Sequence, residues 1–162
     1  MRVWCRGVLT AGMVVSVVVV LSGCSLFDRD DTDQVSVFDV EVGDCFTAPK
    51  EITTTFTSLD RVECDVPHEQ EAYALAPYTD PGTDSTPDTF PGEAALKSFA
   101  DGTCAEEYAD YVGVDYRDSD LFFTYLLPSP RSWEQDADRT TLCFVTTTDG
   151  AQLTQSVEGT RW

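Results

Sequence analysis

Hydrophobic and polar residues alternate in short stretches along most of the chain, which is the pattern of half-buried β-strands. Two stretches, residues 121–127 and 140–147, are almost continuously apolar and predict central strands. The pair Asp149-Gly150 is a strong signal for a two-residue hairpin turn. We therefore predict strands at residues 35–42, 61–66, 71–75, 121–127, 140–147 and 151–157.

One stretch, residues 93–112, has the spacing of an amphipathic helix instead. Gly102 is its weak point, and two shorter helices are the alternative there. Residues 78–91 contain three prolines and predict an exposed loop. Strands around one principal helix indicate an α+β fold with a mostly antiparallel sheet. The apolar stripe of the helix consists of Leu96, Phe99, Ala100, Thr103, Tyr108 and Tyr111.

The first 23 residues have the features of an export signal. Arg2 and Arg6 form a positive start, and the apolar stretch at 8–21 is too short to span a bilayer, which needs about 20 residues. It ends in Leu21-Ser22-Gly23-Cys24, which resembles the lipobox of bacterial lipoproteins, where the cysteine sulfur receives a diacylglycerol. We predict a signal peptide over 1–23 and lipidation of Cys24. The alternatives are an uncleaved anchor and an ordinary signal peptide with a chance cysteine.

An acidic segment, residues 24–34, follows the predicted lipid site. It contains four aspartates and predicts a solvated tether, because an acidic domain is repelled by an anionic membrane surface. A calcium loop of the EF-hand type would need glycine where Asp33 stands. The remaining residues, 35–162, form the predicted folded domain.

The charge balance narrows the range of ligands. The chain has 10 Lys and Arg residues against 29 Asp and Glu residues, a formal net charge of −19. Such a protein lacks the cationic surface that phosphate-backbone binding requires, so we expect no nucleic-acid partner. A single histidine excludes a multi-histidine metal site, and we predict no metal and no cofactor.

Four cysteines remain after Cys5 is removed with the signal peptide and Cys24 is lipidated. In an exported domain, four thiols predict two structural disulfides, with three pairings open. We favour Cys45–Cys64 and Cys104–Cys143, because each pair links neighbouring predicted elements. The absence of a C-x-x-C motif argues against a redox-active pair and against a zinc knuckle.

An ordered set of short motifs extends over about residues 35–157. The motifs are Val42-Gly43-Asp44-Cys45-Phe46, Val62-Glu63-Cys64, Pro67-His68, Phe90-Pro91-Gly92, Cys104, Pro130, Ser132-Trp133, Asp138-Arg139 and Cys143. With these motifs, the chain resembles the septum formation domain family of actinobacterial envelope proteins. The chain departs from the family at Ala137, where the family more often has glycine before Asp-Arg. The resemblance implies a role around division or envelope assembly, and no catalytic activity carries over from it.

His68, Trp133 and Arg139 are the candidate binding-surface residues. His68 is the only imidazole available as a base, and its alternatives are a structural hydrogen bond and catalysis. Arg139 can fix a turn by pairing with Asp136 or Asp138, and Trp133 can cover the core. The alternative is a partner-binding patch, because tryptophan and arginine are frequent in binding hot spots.

Pairs of carboxylates raise the alternative of glycoside hydrolysis, which needs two carboxyl groups at a defined separation. Glu106-Glu107 and Asp118 with Asp120 are such pairs, but among 29 acids chance proximity is expected.

These observations predict a lipid-anchored lipoprotein on the extracytoplasmic face of the cell membrane. We expect a non-catalytic binding or scaffold module of the cell envelope, with an envelope or division protein as its partner. The alternative is a small envelope hydrolase that uses His68 as its base. A solute-binding lipoprotein is a third hypothesis, although the chain is short for a two-lobed architecture.

Overall fold

The computed structural model describes residues 33–48, 57–83 and 85–162. The predicted signal peptide and Cys24 lie outside these residues. The predicted tether was expected to extend to residue 34, but Asp33 and Gln34 belong to the first strand. The first strand therefore includes two residues that the sequence analysis assigned to the tether.

Six strands form one antiparallel sheet, and one long helix packs against it, which confirms the predicted α+β class. Their order across the sheet is β1-β3-β2-β4-β6-β5, so that β2 and β4 are central, and β5, predicted as a central strand, lies at an edge. The strands are β1 (Asp33–Ser36), β2 (Cys45–Phe46), β3 (Ser58–Val62), β4 (Gln70–Pro77), β5 (Leu121–Leu126) and β6 (Thr140–Thr147).

The helix α1 (Glu93–Val112) has the predicted bounds and continues through Gly102 without a break. It ends at Gly113, whose φ of 88° is the left-handed conformation that glycine adopts most easily. The N–H of Gly113 donates to the carbonyl of Ala109 and closes the last turn. A short 3₁₀ helix (Tyr116–Asp118) then leads into β5.

A second helix, α2 (Pro130–Gln135), was not predicted. Ser129 caps it: the Ser129 hydroxyl accepts from the N–H of Ser132, and the Ser132 hydroxyl accepts from the N–H of Ser129. Pro130 occupies the first turn, where its missing N–H costs no hydrogen bond. The capping signal was therefore present, but six residues are too few for a recognisable apolar stripe.

Three predicted strands are corrected by the structure. Residues 151–157 form no strand; only Leu153 makes a bridge, with His68. The first strand ends at Ser36 instead of residue 42, and the third occupies Ser58–Val62 instead of 61–66. In each case the alternation of apolar and polar residues continues further along the chain than the pairing of the backbone with a neighbouring strand.

The two faces of the sheet differ in what covers them. Helix α1 covers one face, which we call the helix face, where its side chains pack against Tyr73, Leu121 and Val145. The opposite face, which we call the open face, is covered only in part, by Val37 and Val40 over Phe46 and Phe144.

Both predicted disulfides are present and tie these layers together. Cys104–Cys143 joins α1 to β6 through the helix face, and both residues are fully buried. Cys45–Cys64 joins β2 to the turn after β3, and Cys64 is only half-buried.

Candidate functional site

His68 is buried, with 0% of its surface exposed, because its backbone is fixed between Leu153 and β2. Its N–H donates to the Leu153 carbonyl, and its carbonyl accepts from the Leu153 N–H. In the ring, Nδ1 lies 2.8 Å from the carbonyl oxygen of Val66 and therefore donates to it. Nε2 has no hydrogen-bond partner within the described part of the chain.

Glu71 is the second buried polar residue at this place. Its Oε1 accepts from the hydroxyls of Tyr111 and Ser156, both at 2.6 Å, and its Oε2 accepts from the N–H of Val157 at 2.8 Å. Burial, and then the bond to Glu71, raises the pKa of Tyr111 above its ordinary value, so the phenol remains a donor. No Lys, Arg or His nitrogen within the described residues lies within 4.0 Å of this carboxylate.

His68, Glu71 and Cys45 converge on one point. One potential ligand atom from each lies within 4.8 Å of the other two, and all three residues are buried. We call these residues the Cys45–His68–Glu71 cluster. Because Cys45 is bonded to Cys64, the oxidised protein offers only the imidazole and the carboxylate as ligands of ordinary strength.

The predicted surface of His68, Trp133 and Arg139 is corrected by the structure, because only Arg139 reaches the surface. Trp133 is 1% exposed and packs with Tyr78 and Leu96, away from the His68 ring. The predicted structural alternative therefore describes Trp133, which covers one end of the core.

Arg139 holds its turn in a way that the sequence analysis did not expect. The predicted partners were the carboxylates of Asp136 and Asp138, but the guanidinium lies over the Trp133 ring at 4.0 Å from the centroid. It donates to the carbonyl oxygens of Trp133, at 2.6 Å, and of Asp138, at 2.9 Å. The Asp138 carboxylate instead accepts from the Ser132 hydroxyl and the N–H of Thr140.

A groove of about 700 Å³ lies on the open face beside Arg139. Its floor is apolar because Leu75, Leu142 and Leu126 are register partners on three adjacent strands and form one row across the sheet. Phe38 forms a wall, and Arg131 and Arg139 lie where β5 ends and β6 begins. We call this cavity, lined by Phe38, Leu75, Leu126, Leu142, Arg131 and Arg139, the open-face groove.

Two features of the open-face groove suit a binding surface. Phe38 and Leu75 are 54% and 38% exposed, although large apolar side chains are ordinarily covered when they lie side by side. Within the described residues, neither Arg131 nor Arg139 has a carboxylate within 4.0 Å, whereas Arg61, Lys97 and Arg117 each have one. The sequence did not reveal the groove, because its lining comes from four separate segments.

The predicted carboxylate pairs do not contribute to the open-face groove. Glu106, Glu107, Asp118 and Asp120 are all exposed, and none of them lines it.

Together these features define a disulfide-bonded α+β domain with one partly covered sheet face. The family model described as Septum formation matches residues 42–161, and the chain belongs to that family. The resemblance seen in the ordered motifs is thereby confirmed, and family membership indicates a role related to cell division in the envelope. Comparison with curated proteins and with solved structures finds no match. None of the helices that the structure describes is long and apolar enough to cross a membrane.

Proposed function

We propose that this protein is a lipid-anchored, extracytoplasmic binding module of the cell envelope, without catalytic activity, that recruits a division or envelope protein through the open-face groove. Membership of the Septum formation family supports the division-related setting. The lipobox-like sequence ending at Cys24 supports the anchor. The observation that carries the binding role is the open-face groove, in which Phe38 and Leu75 remain exposed beside two arginines.

The chemistry of the groove favours a particular kind of partner. Burying exposed apolar side chains drives most protein association, at roughly 25 cal/mol per Å² of apolar surface. Arg131 and Arg139 offer guanidinium groups in a groove that Asp136 and Asp138 also line, and arginine recognises carboxylates well. We therefore expect a partner segment that presents apolar side chains together with a carboxylate.

The hydrolase alternative has less support. A general base must come within hydrogen-bond reach of the proton that it removes. The His68 ring is 0% exposed and directs its Nδ1 at the Val66 carbonyl. No observation favours this alternative over the binding role.

Fluorescence imaging of the full-length protein in dividing cells, with a folded extracytoplasmic tag, tests the proposal. We expect the wild type at septa, and Cys24→Ala to lose the membrane and the septum together. Leu75→Glu places a charge on the groove floor, so it should remain on the membrane but lose septal enrichment. Val66→Glu is the matched control, because Val66 is 41% exposed but does not line the groove.

Two results would contradict the proposal. An even distribution of the wild type around the envelope would remove the division-related role. Septal enrichment of Leu75→Glu equal to that of Val66→Glu would show that the groove does not bind the recruiting partner.

A further inference from the structure

The Cys45–His68–Glu71 cluster places a buried polar atom without a partner beside a buried carboxyl group. The Nε2 atom of His68 is buried and has no partner within the described residues. The carboxyl group of Glu71 accepts three hydrogen bonds but has no cation within 4.0 Å in the same part of the chain. Buried polar groups in proteins are ordinarily hydrogen-bonded, so the unpartnered Nε2 atom requires an explanation.

While the Cys45–Cys64 disulfide is intact, neither sulfur is available as a thiolate to complete a set of metal ligands with His68 and Glu71. Cys45 Sγ lies within 4.8 Å of a ligand atom of His68 and of Glu71, and Cys64 Sγ is bonded to it. Reduction would add two thiols to the imidazole and the carboxylate. Cys64 Sγ is not among the atoms that lie within 4.8 Å of one another, so it would have to turn towards them from its position one bond away from Cys45 Sγ. Four such ligands form the tetrahedral set that Zn²⁺ prefers.

We infer that reduction of Cys45–Cys64 converts this cluster into a Zn²⁺ site with Cys45, Cys64, His68 and Glu71 as its ligands. The absence of a C-x-x-C motif argues only against a contiguous knuckle, whereas these ligands come from three segments.

The surroundings of the two groups fit metal ligation. Histidines that bind metals ordinarily donate a hydrogen bond from their second ring nitrogen to a carbonyl or carboxylate oxygen. The Nδ1–H of His68 donates to the Val66 carbonyl in this way. Ligating carboxylates are themselves held by hydrogen bonds, as Glu71 is by Tyr111, Ser156 and Val157.

A reductant can reach this disulfide but not the other. A cavity of about 350 Å³, lined by Cys45, Cys64 and the acidic residues Asp33, Asp44 and Glu63, opens beside the bond. Cys104 and Cys143 are both 0% exposed in the core.

The reaction balances with a dithiol as the reductant. One thiolate of the dithiol attacks a sulfur of Cys45–Cys64, and its second thiolate resolves the mixed disulfide. The dithiol becomes a disulfide, and its two electrons reduce Cys45 and Cys64. Zn²⁺ then displaces the two thiol protons into solvent.

The test uses the full-length protein in detergent, titrated with Zn²⁺ or Co²⁺ before and after mild reduction with a phosphine. We expect one metal ion per chain in the reduced form only, with the Co²⁺–thiolate absorption of a tetrahedral site and release of the metal on reoxidation. Alkylation followed by mass spectrometry should find Cys45 and Cys64 reduced before Cys104 and Cys143.

Variants distinguish this site from a bare pair of thiols. Glu71→Gln and His68→Gln should each weaken Zn²⁺ binding by about 100-fold, and Tyr111→Phe, which removes only a hydrogen bond to Glu71, by about tenfold. Glu63→Gln is the control, because Glu63 lines the adjacent cavity and is not in the cluster, and its affinity should stay that of the wild type.

Several outcomes would overturn the inference. They are equal binding by the oxidised protein, no stoichiometric binding by the reduced wild type, earlier reduction of Cys104–Cys143, and affinity independent of both His68 and Glu71. If His68→Gln or Glu71→Gln fails to fold, the wild-type comparison of redox states and the Tyr111→Phe variant still decide the matter.

Discussion

The two faces of the sheet are built from the same kinds of side chain but have different structures around them. On the helix face, Tyr73 and Tyr108 meet edge to face at 5.8 Å, and the Tyr73 hydroxyl donates to the Cys104 carbonyl. On the open face, Leu75 and Phe38 remain 38% and 54% exposed. The large apolar side chains of the helix face are buried, whereas some of those on the open face remain exposed to solvent.

This difference indicates how the domain separates stability from binding. The helix face contains a buried disulfide, the longest helix and a continuous aromatic cluster. Because the helix face supplies this stability, the exposed apolar side chains of the open face can be buried against a partner instead of within the domain. Substitutions on the two faces should therefore have separable effects on the free energy of unfolding.

The largest expected effect is the removal of the disulfide on the helix face. Cys104 and Cys143 are 39 positions apart, against 19 for Cys45 and Cys64. Replacing each pair by alanine should lower the unfolding free energy by about 4 and about 3 kcal/mol respectively, because the longer loop gains more chain entropy on unfolding. Urea denaturation of the two double variants measures both values. A greater loss of unfolding free energy in the Cys45/Cys64 variant would contradict the expectation that the helix face contributes more of the stability.

A pair of identical substitutions compares the faces directly. Leu96→Ala on α1 leaves a cavity beside Tyr78 and Trp133 and should cost about 2–5 kcal/mol. Leu75→Ala on the open face removes a side chain that is already 38% exposed, and it should cost about 1 kcal/mol or less. Thermal and urea unfolding of both variants provide the check. Equal losses would show that the open face is as tightly packed as the helix face.

The smallest expected effect concerns the polar rim of the helix face. Asp101 accepts from the Tyr125 hydroxyl at 2.7 Å and from Lys97 at 3.1 Å, and these bonds hold the pKa of its carboxyl below the ordinary 3.8. A lowered pKa in the folded state adds stability above the unfolded value, and that stability is lost as the pH falls. Asp101→Asn should therefore reduce the loss of stability between about pH 5 and pH 3.

The control for this pH series is Glu106→Gln, which removes an exposed carboxylate from the same helix. Urea unfolding at each pH measures the slope. A slope for Asp101→Asn equal to that of the wild type would mean that the link between α1 and β5 does not contribute.

Much of the architecture was predictable because its signals are local. The stripe from Leu96 to Tyr111 predicted α1 with its correct bounds, and the two apolar runs predicted β5 and β6. The disulfide pairing followed from the same order of elements. The ordered motifs also indicated the family that the family model confirms.

The failures concern features that depend on distant partners. Residues 151–157 alternate like a strand, but only Leu153 finds a backbone to pair with, opposite His68. Glu71 lies in an apolar strand, and no residue near it in the sequence indicates that the hydroxyls of Tyr111 and Ser156 donate hydrogen bonds to it. The sequence analysis placed His68 among surface residues for the same reason.

The sequence by itself determined the class of fold, the principal helix and the family, because periodicity and motif order are properties of neighbouring residues, and it favoured the observed cysteine pairs among three possible pairings. Only the tertiary structure decided which sheet face is covered, where His68 meets Glu71 and Cys45, and that Leu75, Leu142 and Leu126 form one row. Burial and strand register are set by contacts between residues far apart in the chain, and alternation along a single strand does not specify which neighbour it will meet.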